Sequence, residues 1–398
     1  MIPRTLSRKL RAAARKFPVV TVTGPRQSGK TTLVRAEFAD LPYVSLELPD
    51  ERAFALEDPR GFLARFGGPV VLDEVQRAPD LFSYIQVLAD ERDRPGQFIL
   101  TGSQNFLLLE RIAQSLAGRC AILHLLPLSL GEIERRPSAM AEKLGRWSPP
   151  RGRRPRSDLF ETLFTGFYPR IHDKSLDPRE WYAGYTQTYL ERDVRQILNV
   201  GDLEAFGRFL RLCAGRSAQL LNLSGLASDC GVTHTTARRW LSVLEASFVV
   251  ILLRPHHRSF GKRLVKAPKL HFLDTGLLCY LLGVRAPEDL PHHASRGAIF
   301  ESFVVSEVAK SFENRGERAP LFFWRDSTGK EIDLLVDLGE RLIPIEVKSS
   351  QTVASDFLDG LRLWRKMRKD SEAPAALLYG GEEFFRREGV AVYPWRVL

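Results

Sequence analysis

The chain has 398 residues, of which 44% are hydrophobic and 27% are charged, and its formal net charge at pH 7 is +10. This composition excludes an intrinsically disordered chain, and the length is enough for two or three domains, each with its own core. The longest apolar run, residues 248–253, is far too short to span a bilayer, so we expect no membrane span. The basic excess favours nucleic acid as a partner, although a solvated arginine-rich surface explains the charge equally well.

The chain starts with a basic segment, residues 4–17, that superficially resembles a transit peptide. It leads directly into a strand-like run and a glycine-containing loop, so we expect an amphipathic helix of the first domain instead. The four cysteines lie far apart and lack metal-ligand spacing. We therefore expect reduced, mostly buried thiols and a cytoplasmic location, without a secretory signal.

The segment VVTVTGPRQSGKTTLV, residues 19–34, places an apolar strand before the pattern G-x-x-x-x-G-K-T and a helix-compatible run after it. The two glycines let the backbone curl, so that successive N–H groups point at phosphate oxygens. Lys30 adds positive charge at the β- and γ-phosphates, and the Thr31 hydroxyl is a ligand for Mg²⁺. The pattern predicts ATP and Mg²⁺ as cofactors. The predicted binding residues are Gly24, Pro25, Arg26, Gln27, Ser28, Gly29, Lys30, Thr31 and Thr32.

A second motif, PVVLDEVQ at residues 69–76, has three apolar β-formers before two acids. This is typical of a buried parallel strand that ends at the nucleotide. We expect Asp73 to hold the metal opposite Thr31, and Glu74 to polarise the attacking water as a general base. An ordinary exposed turn is the alternative, and the upstream loop makes it a minor one.

A further strand-like run, QFILTGSQNF at residues 97–106, ends in polar residues, so Ser103 or Gln104 is predicted to sense the γ-phosphate or the water. A helix-like run then ends at Arg119. This order of motifs resembles the AAA-family ATPases. The resemblance implies a parallel sheet with flanking helices over residues 1–135, self-association, and Arg119 as an arginine finger that reaches a neighbouring subunit. Capping of the helix end by Arg119 is the alternative.

Residues 136–157 are rich in Arg and Pro and predict a linker or loop, whose arginines either contact phosphates or only solubilise the chain. Residues 158–284 predict a helical region, and within it residues 222–255 predict a winged helix-turn-helix. Two helices share a buried side: Leu226, Ala227, Cys230, Ala237, Trp240, Leu241 and Leu244. The expected DNA contacts are Thr233, His234, Thr235 and Arg238. A lid or an assembly surface is the alternative role.

The segment GKEIDLLVDLGERLIPIEVKSS, residues 329–350, predicts a hairpin with a type II′ turn at Gly339 and Glu340. That turn places Asp333 directly opposite Glu346, with Cβ atoms roughly 5 Å apart. Two ionised carboxylates at this separation repel each other, and a divalent cation between them is the natural compensation. Lys348, two residues further on the same face, can steady a nucleophilic water or a scissile phosphate.

Glu301 lies on the apolar stripe of a predicted helix, where an acid needs a partner or a function. A helix Glu, then Asp333, then Glu346-x-Lys348 resembles the PD-(D/E)xK restriction-nuclease-like superfamily. The resemblance implies an α/β nuclease-like domain over residues 285–398, with metal at Asp333, Glu346 and Glu301 and with Lys348 as a catalytic residue. The alternatives are a hairpin with an exposed Glu–Lys pair and a nuclease-like domain that has lost activity.

The chain as a whole resembles prokaryotic ATP-binding proteins that join an AAA-type core to a winged-helix and nuclease-like region. This resemblance predicts a Mg²⁺-dependent, self-associating ATPase with no membrane partner. The ATPase is coupled to a module that binds DNA, and the resemblance leaves open whether this module also cleaves DNA. The alternative is a regulatory or signalling switch, in which ATP controls assembly or a protein partner and the C-terminal domain is a non-catalytic interaction module.

Overall fold

The computed structural model describes residues 1–103, 115–136, 158–189, 203–256, 266–326, 328–368, 370 and 373–398. The chain forms two compact units. Unit 1 contains residues 1–128, 246–248 and 313–317, and unit 2 contains residues 129–245, 249–312 and 318–398. Gln104 and residues 137–157 of the predicted linker lie outside the described residues.

Unit 1 is built on a five-stranded parallel sheet in the order β2-β3-β4-β1-β5. The strands are β1 Val19–Gly24, β2 Tyr43–Ser45, β3 Val70–Asp73, β4 Phe98–Ser103 and β5 Cys120–His124. The described helices of the unit are α1 Ser7–Ala14, α2 Lys30–Glu37, α3 Pro49–Glu57, α4 Pro59–Ala64 and α5 Leu81–Arg92.

Both faces of this sheet are covered, which explains its nearly continuous apolar strands. Alternate strand residues enter two separate hydrophobic clusters, because successive side chains of a strand point to opposite faces. Val19 packs with residues of α4 and α5, whereas Val20 packs with residues of α1 and α2. The strands therefore end together at one carboxyl edge between two helix layers.

Unit 2 is built on a mixed nine-stranded sheet in the order β13-β14-β12-β11-β10-β9-β7-β8-β6. Its strands are β6 Gln219–Leu220, β7 Val250–Pro255, β8 Lys269–Phe272, β9 Leu321–Arg325, β10 Glu331–Asp337, β11 Leu342–Lys348, β12 Ala376–Tyr379, β13 Phe385–Arg387 and β14 Val390–Pro394. Its described helices are α6 Leu130–Ile133, α7 Leu159–Thr165, α8 Pro169–Lys174, α9 Pro178–Tyr189, α10 Leu203–Gly215, α11 Leu223–Cys230, α12 His234–Ala246, α13 Thr275–Leu281, α14 Arg296–Glu313 and α15 Asp359–Arg368.

The sheet of unit 2 crosses the boundary that the sequence placed at residues 284 and 285. Strand β7 pairs in parallel with β9, through Arg254 with Phe322 and Pro255 with Phe323. The predicted helical region and the predicted nuclease-like domain therefore share one sheet and one compact unit. The segment 129–135, which the sequence assigned to the first domain, also belongs to unit 2, since Leu130 N–H donates to Glu307 over 2.8 Å.

The two helices of the predicted helix-turn-helix segment are α11 and α12. Gly231 ends α11 with a φ of +69°, a left-handed conformation that glycine adopts without strain. All seven residues predicted on the shared apolar side are buried, whereas the predicted contact residues Thr233, His234, Thr235 and Arg238 are exposed. Among the described helices of the whole chain, none is both long and apolar enough to cross a membrane.

Candidate functional site

The predicted phosphate loop runs from the end of β1 to the start of α2, at the carboxyl edge of the unit 1 sheet. Its glycines are required by geometry. Gly24 has a φ of +150°, and a Cβ at this position would overlap the carbonyl oxygen of Leu125. Gly29 precedes α2 with a φ of +91°, in the left-handed region. The curled loop with a helix start behind it is the arrangement that receives a phosphate group.

Lys30 is 6% exposed, and its Nζ donates to the carbonyl oxygens of Gly24, over 3.1 Å, and Pro25, over 2.8 Å. The buried Ser28 hydroxyl has no hydrogen-bond partner among the described residues. Arg4 holds the loop from outside, with Nη1 donating to Ser28 O over 2.7 Å. A buried ammonium and an unpaired buried hydroxyl inside a curled backbone fit a phosphate group.

Other predicted loop residues are placed less centrally. Arg26 is half-buried, and Gln27 is exposed with a left-handed φ of +63°. Thr32 is exposed on α2. The contact set for phosphates therefore centres on the backbone of the loop and on Ser28 and Lys30.

Three hydroxyl groups converge on the carboxylate of Asp73. Thr31 donates to Oδ2 over 2.9 Å, Tyr43 donates to the same oxygen over 2.6 Å, and Thr101 donates to Oδ1. Burial and the hydrogen bond to Asp73 raise the pKa of Tyr43 above its usual value. The Thr31–Asp73 pair is the oxygen set that a Mg²⁺ ion beside a nucleotide requires.

Sequence reasoning missed Tyr43 and Thr101. Both reach Asp73 because β2 and β4 flank β3, with Ser45 opposite Asp73 and Leu100 opposite Leu72. The only signal in the sequence was a polar residue within an apolar strand.

Glu74 follows Asp73 with a left-handed φ of +56°, which turns its side chain away from the strand direction. Its Oε2 accepts hydrogen bonds from Gln76 Nε2 and, over 3.3 Å, from Ser103 Oγ. Ser103 pairs with Gly24 across β4 and β1. Glu74, the predicted base, and Ser103, the predicted sensor, therefore lie together beside the phosphate loop. Gln76 contacts both of them.

Arg119 lies at the opposite edge of the same sheet. It precedes β5, whose Cys120 pairs with Val19 at the start of β1, and the phosphate loop follows the end of β1. Five residues of strand separate the two edges by roughly 16 Å. The guanidinium forms a bidentate ion pair with Asp90, with Nη2 donating to Oδ2 over 2.8 Å. Arg119 is thus not brought to the nucleotide site of its own subunit.

In unit 2, the predicted hairpin register is confirmed. Leu334 pairs with Ile345 and Val336 with Ile343, and Gly339 has a φ of +80° in the two-residue turn. Asp333 and Glu346 are the next residues beyond the last pair of this ladder, Leu334 with Ile345.

The three predicted hairpin residues form one cluster, in which Glu346 is buried and Asp333 and Lys348 are half-buried. Lys348 Nζ lies 3.0 Å from Glu346 Oε2 and 3.4 Å from Asp333 Oδ2, and Val347 N–H donates to Asp333 over 2.9 Å. Burial and the charge of Asp333 raise the pKa of Glu346 well above its usual value. Burial opposes ionisation of Asp333, but Lys348 and Lys269 outweigh it and lower the pKa of that carboxyl.

Glu301 on α14 faces a different cation. Its Oε1 accepts a 2.8 Å hydrogen bond from Lys269 of β8, which also pairs with Glu331. Burial and nearby Asp333 raise the pKa of Glu301 to about 8. Sequence reasoning missed Lys269, because β8 lies far away along the chain and joins the cluster only through the shared sheet.

This cluster does not present a ready metal site. Within the described ranges there is no group of three or more His, Cys, Asp or Glu side chains arranged to hold a metal ion. The ammonium of Lys348 lies against both carboxylates, Asp333 and Glu346, and Lys269 neutralises Glu301. The predicted acids are brought together as expected, but their charge is balanced by lysines.

Family models match three stretches of the chain. Residues 16–134 match an AAA domain. Residues 156–288 and 296–398 match two domains of unknown function, DUF8612 and DUF4143. Residues 16–134 are therefore an AAA-family P-loop ATPase domain.

Two curated proteins are similar along most of their length. The uncharacterised proteins Rv2008c of Mycobacterium tuberculosis and Mb2031c of Mycobacterium bovis are each 33% identical over 384 residues, which is 96% of this chain and 81% of theirs. Among solved structures, the Walker-type ATPase PABY2304 of Pyrococcus abyssi is 16% identical with a TM-score of 0.43, over 71% of this chain and 96% of that chain.

Proposed function

This chain belongs to the same protein family as Rv2008c of Mycobacterium tuberculosis, and we propose that it is a Mg²⁺-dependent ATPase whose turnover is coupled to a DNA-binding region in unit 2. One observation carries the ATPase part. The buried ammonium of Lys30 and the Thr31–Asp73 pair lie at the carboxyl edge of one parallel sheet, inside an AAA domain. Ligands of such sheets bind at this edge.

The residues of the site divide the work of phosphoryl transfer to water. Lys30 exchanges its carbonyl partners for phosphate oxygens, and the loop amides and Ser28 complete the phosphate contacts. Thr31 and Asp73 would hold Mg²⁺, which would supply positive charge at the β- and γ-phosphates when bound. Glu74 accepts the proton of the attacking water, and Ser103 orients the Glu74 carboxylate.

Arg119 acts in trans in this proposal. Because it lies at the amino edge of the sheet, Arg119 does not reach the nucleotide of its own subunit. Its guanidinium is half-exposed, at a surface that a second copy of the chain can cover. The ion pair with Asp90 must then open when the neighbouring nucleotide is engaged. Self-association follows from this assignment, since an arginine finger needs a second subunit.

The DNA-binding part rests on α11, α12 and the strands around them. The order α10, β6, α11, turn, α12, β7, β8, with β8 paired to both β6 and β7, supports a winged helix-turn-helix. The start of α12 carries exposed Thr235 and Arg238, side chains that donate hydrogen bonds to bases or phosphates.

The test is ATP turnover by the full chain, with and without duplex DNA. Lys30→Ala should abolish turnover, whereas Lys16→Ala should not. Thr235→Ala with Arg238→Ala should remove stimulation by DNA but keep basal turnover. Arg208→Ala, an exposed arginine of α10, is the matched control. Full turnover by Lys30→Ala would refute the assignment of the nucleotide site. If the wild-type chain does not bind DNA at low salt, the alternative function, a regulatory switch with a protein partner, is favoured.

A second candidate function is phosphodiester hydrolysis in unit 2. The contacts of Lys348 with both Asp333 and Glu346 favour it. Cleavage of duplex DNA with Mg²⁺ or Mn²⁺ should then be lost in Lys348→Ala and kept in Lys366→Ala, an exposed lysine of α15. Equal cleavage by both variants would point to a contaminating nuclease, and no cleavage by wild type would leave a non-catalytic module.

A further inference from the structure

Helix α1 presents a strongly basic groove on unit 1. Four arginines, Arg4, Arg8, Arg11 and Arg15, follow one another at spacings of three or four residues and line a groove of about 500 Å³. The remaining lining residues are small, namely Thr5, Ser7 and Ala12. The first acidic residue of the chain is Glu37, so the sequence around this helix supplies no local negative charge.

The opposite side of helix α1 is buried in the core of unit 1. Leu6, Leu10 and Ala13 are 0–5% exposed and pack into the core on one face of the sheet. The arginine side is therefore held outward by the packing of the apolar side, as the spacing of 3.6 residues per turn requires.

Charge on this side is largely uncompensated. Arg11 pairs with Glu37. Arg8 and Arg15 are exposed, and neither forms an ion pair with any residue in the part of the chain that the structure describes. Like charges at these spacings repel each other, so the helix gains from an anion that lies along it.

The lining chemistry selects the kind of partner. Membrane binding by a basic helix needs an exposed apolar face, and here that face is buried. Protein interfaces have an apolar or aromatic centre, which a groove lined by Arg, Thr, Ser and Ala lacks. Protein–DNA interfaces are polar and strongly positive, which matches this groove.

The dimensions also match a phosphodiester backbone. Arg8 and Arg15 are separated by a rise of about 10 Å along the helix. One strand of a duplex advances about 3.4 Å along the duplex axis per phosphate, so this rise equals the axial length of about three phosphates.

We propose that the arginine groove of α1 binds the phosphate backbone of duplex DNA, which gives the ATPase unit a DNA contact of its own. The proposal rests on the proposed function only in taking DNA as the partner. The groove is connected to the nucleotide site, because Arg4 donates to Ser28 O of the phosphate loop and to Leu126 O. DNA in the groove therefore lies one side chain away from the loop that receives ATP.

The test is the salt dependence of duplex DNA binding by the full chain, measured by fluorescence anisotropy. Arg8→Ala with Arg15→Ala removes two groove arginines, and Lys9→Ala with Lys16→Ala removes two charges that do not line the groove. The groove variant should bind roughly tenfold or more weakly at 0.1 M salt, and its negative slope of log K against log salt should become shallower by about 2. The lysine variant should keep the wild-type slope.

Circular dichroism and basal ATP turnover verify that both variants fold, and alanine favours helix at these positions. If both variants bind DNA with the wild-type slope of log K against log salt, DNA binding in the groove is refuted and the proposed function is unaffected. An equal loss of DNA affinity in both variants would show that only net charge matters, and it would also refute DNA binding in the groove. Failure of wild type to bind DNA at low salt would overturn the groove and the DNA part of the proposed function together.

Discussion

The hydroxyl of Tyr43 donates a 2.6 Å hydrogen bond to the carboxylate of Asp73, the residue assigned to the metal. Tyr43→Phe keeps the ring, over which Arg35 lies at 5.0 Å, and removes only this bond. A hydrogen bond to a charged group contributes about 1.5–3 kcal/mol, so Mg²⁺ in the nucleotide complex should bind roughly ten- to a hundredfold more weakly. The measurement is Mn²⁺ binding by electron paramagnetic resonance with ADP present, alongside the Mg²⁺ dependence of turnover.

Tyr84→Phe, which changes an exposed tyrosine of α5, is the matched control. A metal affinity in Tyr43→Phe equal to that of the control would show that this hydroxyl does not position Asp73. A lower thermal midpoint without a change in metal affinity would assign Tyr43 to stability alone.

A methyl group at Gly24 should block the nucleotide site. It would overlap Leu125 O on a backbone at φ +150°, so the first residue of the loop would have to move. We expect Gly24→Ala to lower the affinity for a fluorescent ADP analogue by more than tenfold, as seen by titration. Gly67→Ala, where no atom lies within 4 Å of the added Cβ, should bind like wild type. Tight binding of the ADP analogue by Gly24→Ala would contradict the close contact between residue 24 and Leu125 O.

The buried ion pair of Glu307 and Lys310 should contribute strongly to the stability of unit 2. Their Oε1 and Nζ atoms are 2.8 Å apart, the side chains are 1% and 0% exposed, and Glu307 also accepts from Leu130 N–H. Glu307→Ala leaves a buried ammonium and should lower the free energy of unfolding by about 3–5 kcal/mol in urea denaturation.

The exposed pair of Glu204 and Arg208 on α10 is the comparison for this prediction. It has the same kind of short-range helical spacing but an 83% exposed carboxylate, so Glu204→Ala should cost at most about 0.5 kcal/mol. Similar losses in the two variants would mean that burial does not set the energy of the Glu307 pair.

Metal binding in unit 2 can be separated from nucleotide binding by thermal denaturation without nucleotide. If Asp333 and Glu346 accept a divalent cation after Lys348 moves aside, Mn²⁺ should raise the melting temperature of metal-free protein. Asp333→Asn should abolish this rise, and Asp326→Asn, at a buried carboxylate of the neighbouring turn, should not. No rise in wild type would mean that the two lysines alone balance these acids.

Local rules predicted the parts of the sites that lie close together in sequence. The phosphate loop follows from glycine geometry and a strand–loop–helix order, and the apposition of Asp333 and Glu346 follows from a two-residue turn at Gly339. In both cases the relevant atoms are fixed by a few neighbouring residues.

Contacts made through strand order were beyond sequence reasoning. Tyr43 and Thr101 meet at Asp73 only because β3 lies between β2 and β4. Lys269 meets Glu301 because α14 packs against β8, where Ser302 also contacts His271. Glu307 and Lys310 show a different limit. Charged residues are almost never fully buried unless paired, and their pairing inside unit 2 depends on packing against distant α6.

The hydrogen-bonded ladder from β6 to β13 has a mechanical consequence. The hairpin of β10 and β11 and the two strands beside α12 belong to the same ladder, so these parts cannot swing independently without breaking pairs between β7 and β9. If α12 binds a duplex that is cleaved at Asp333 and Glu346, the distance between binding and cleavage is fixed by the sheet, in which one strand, β9, lies between β7 and β10. Unit 2 would then fix the distance between the bound and the cleaved parts of the DNA, and cleavage products of one length would result.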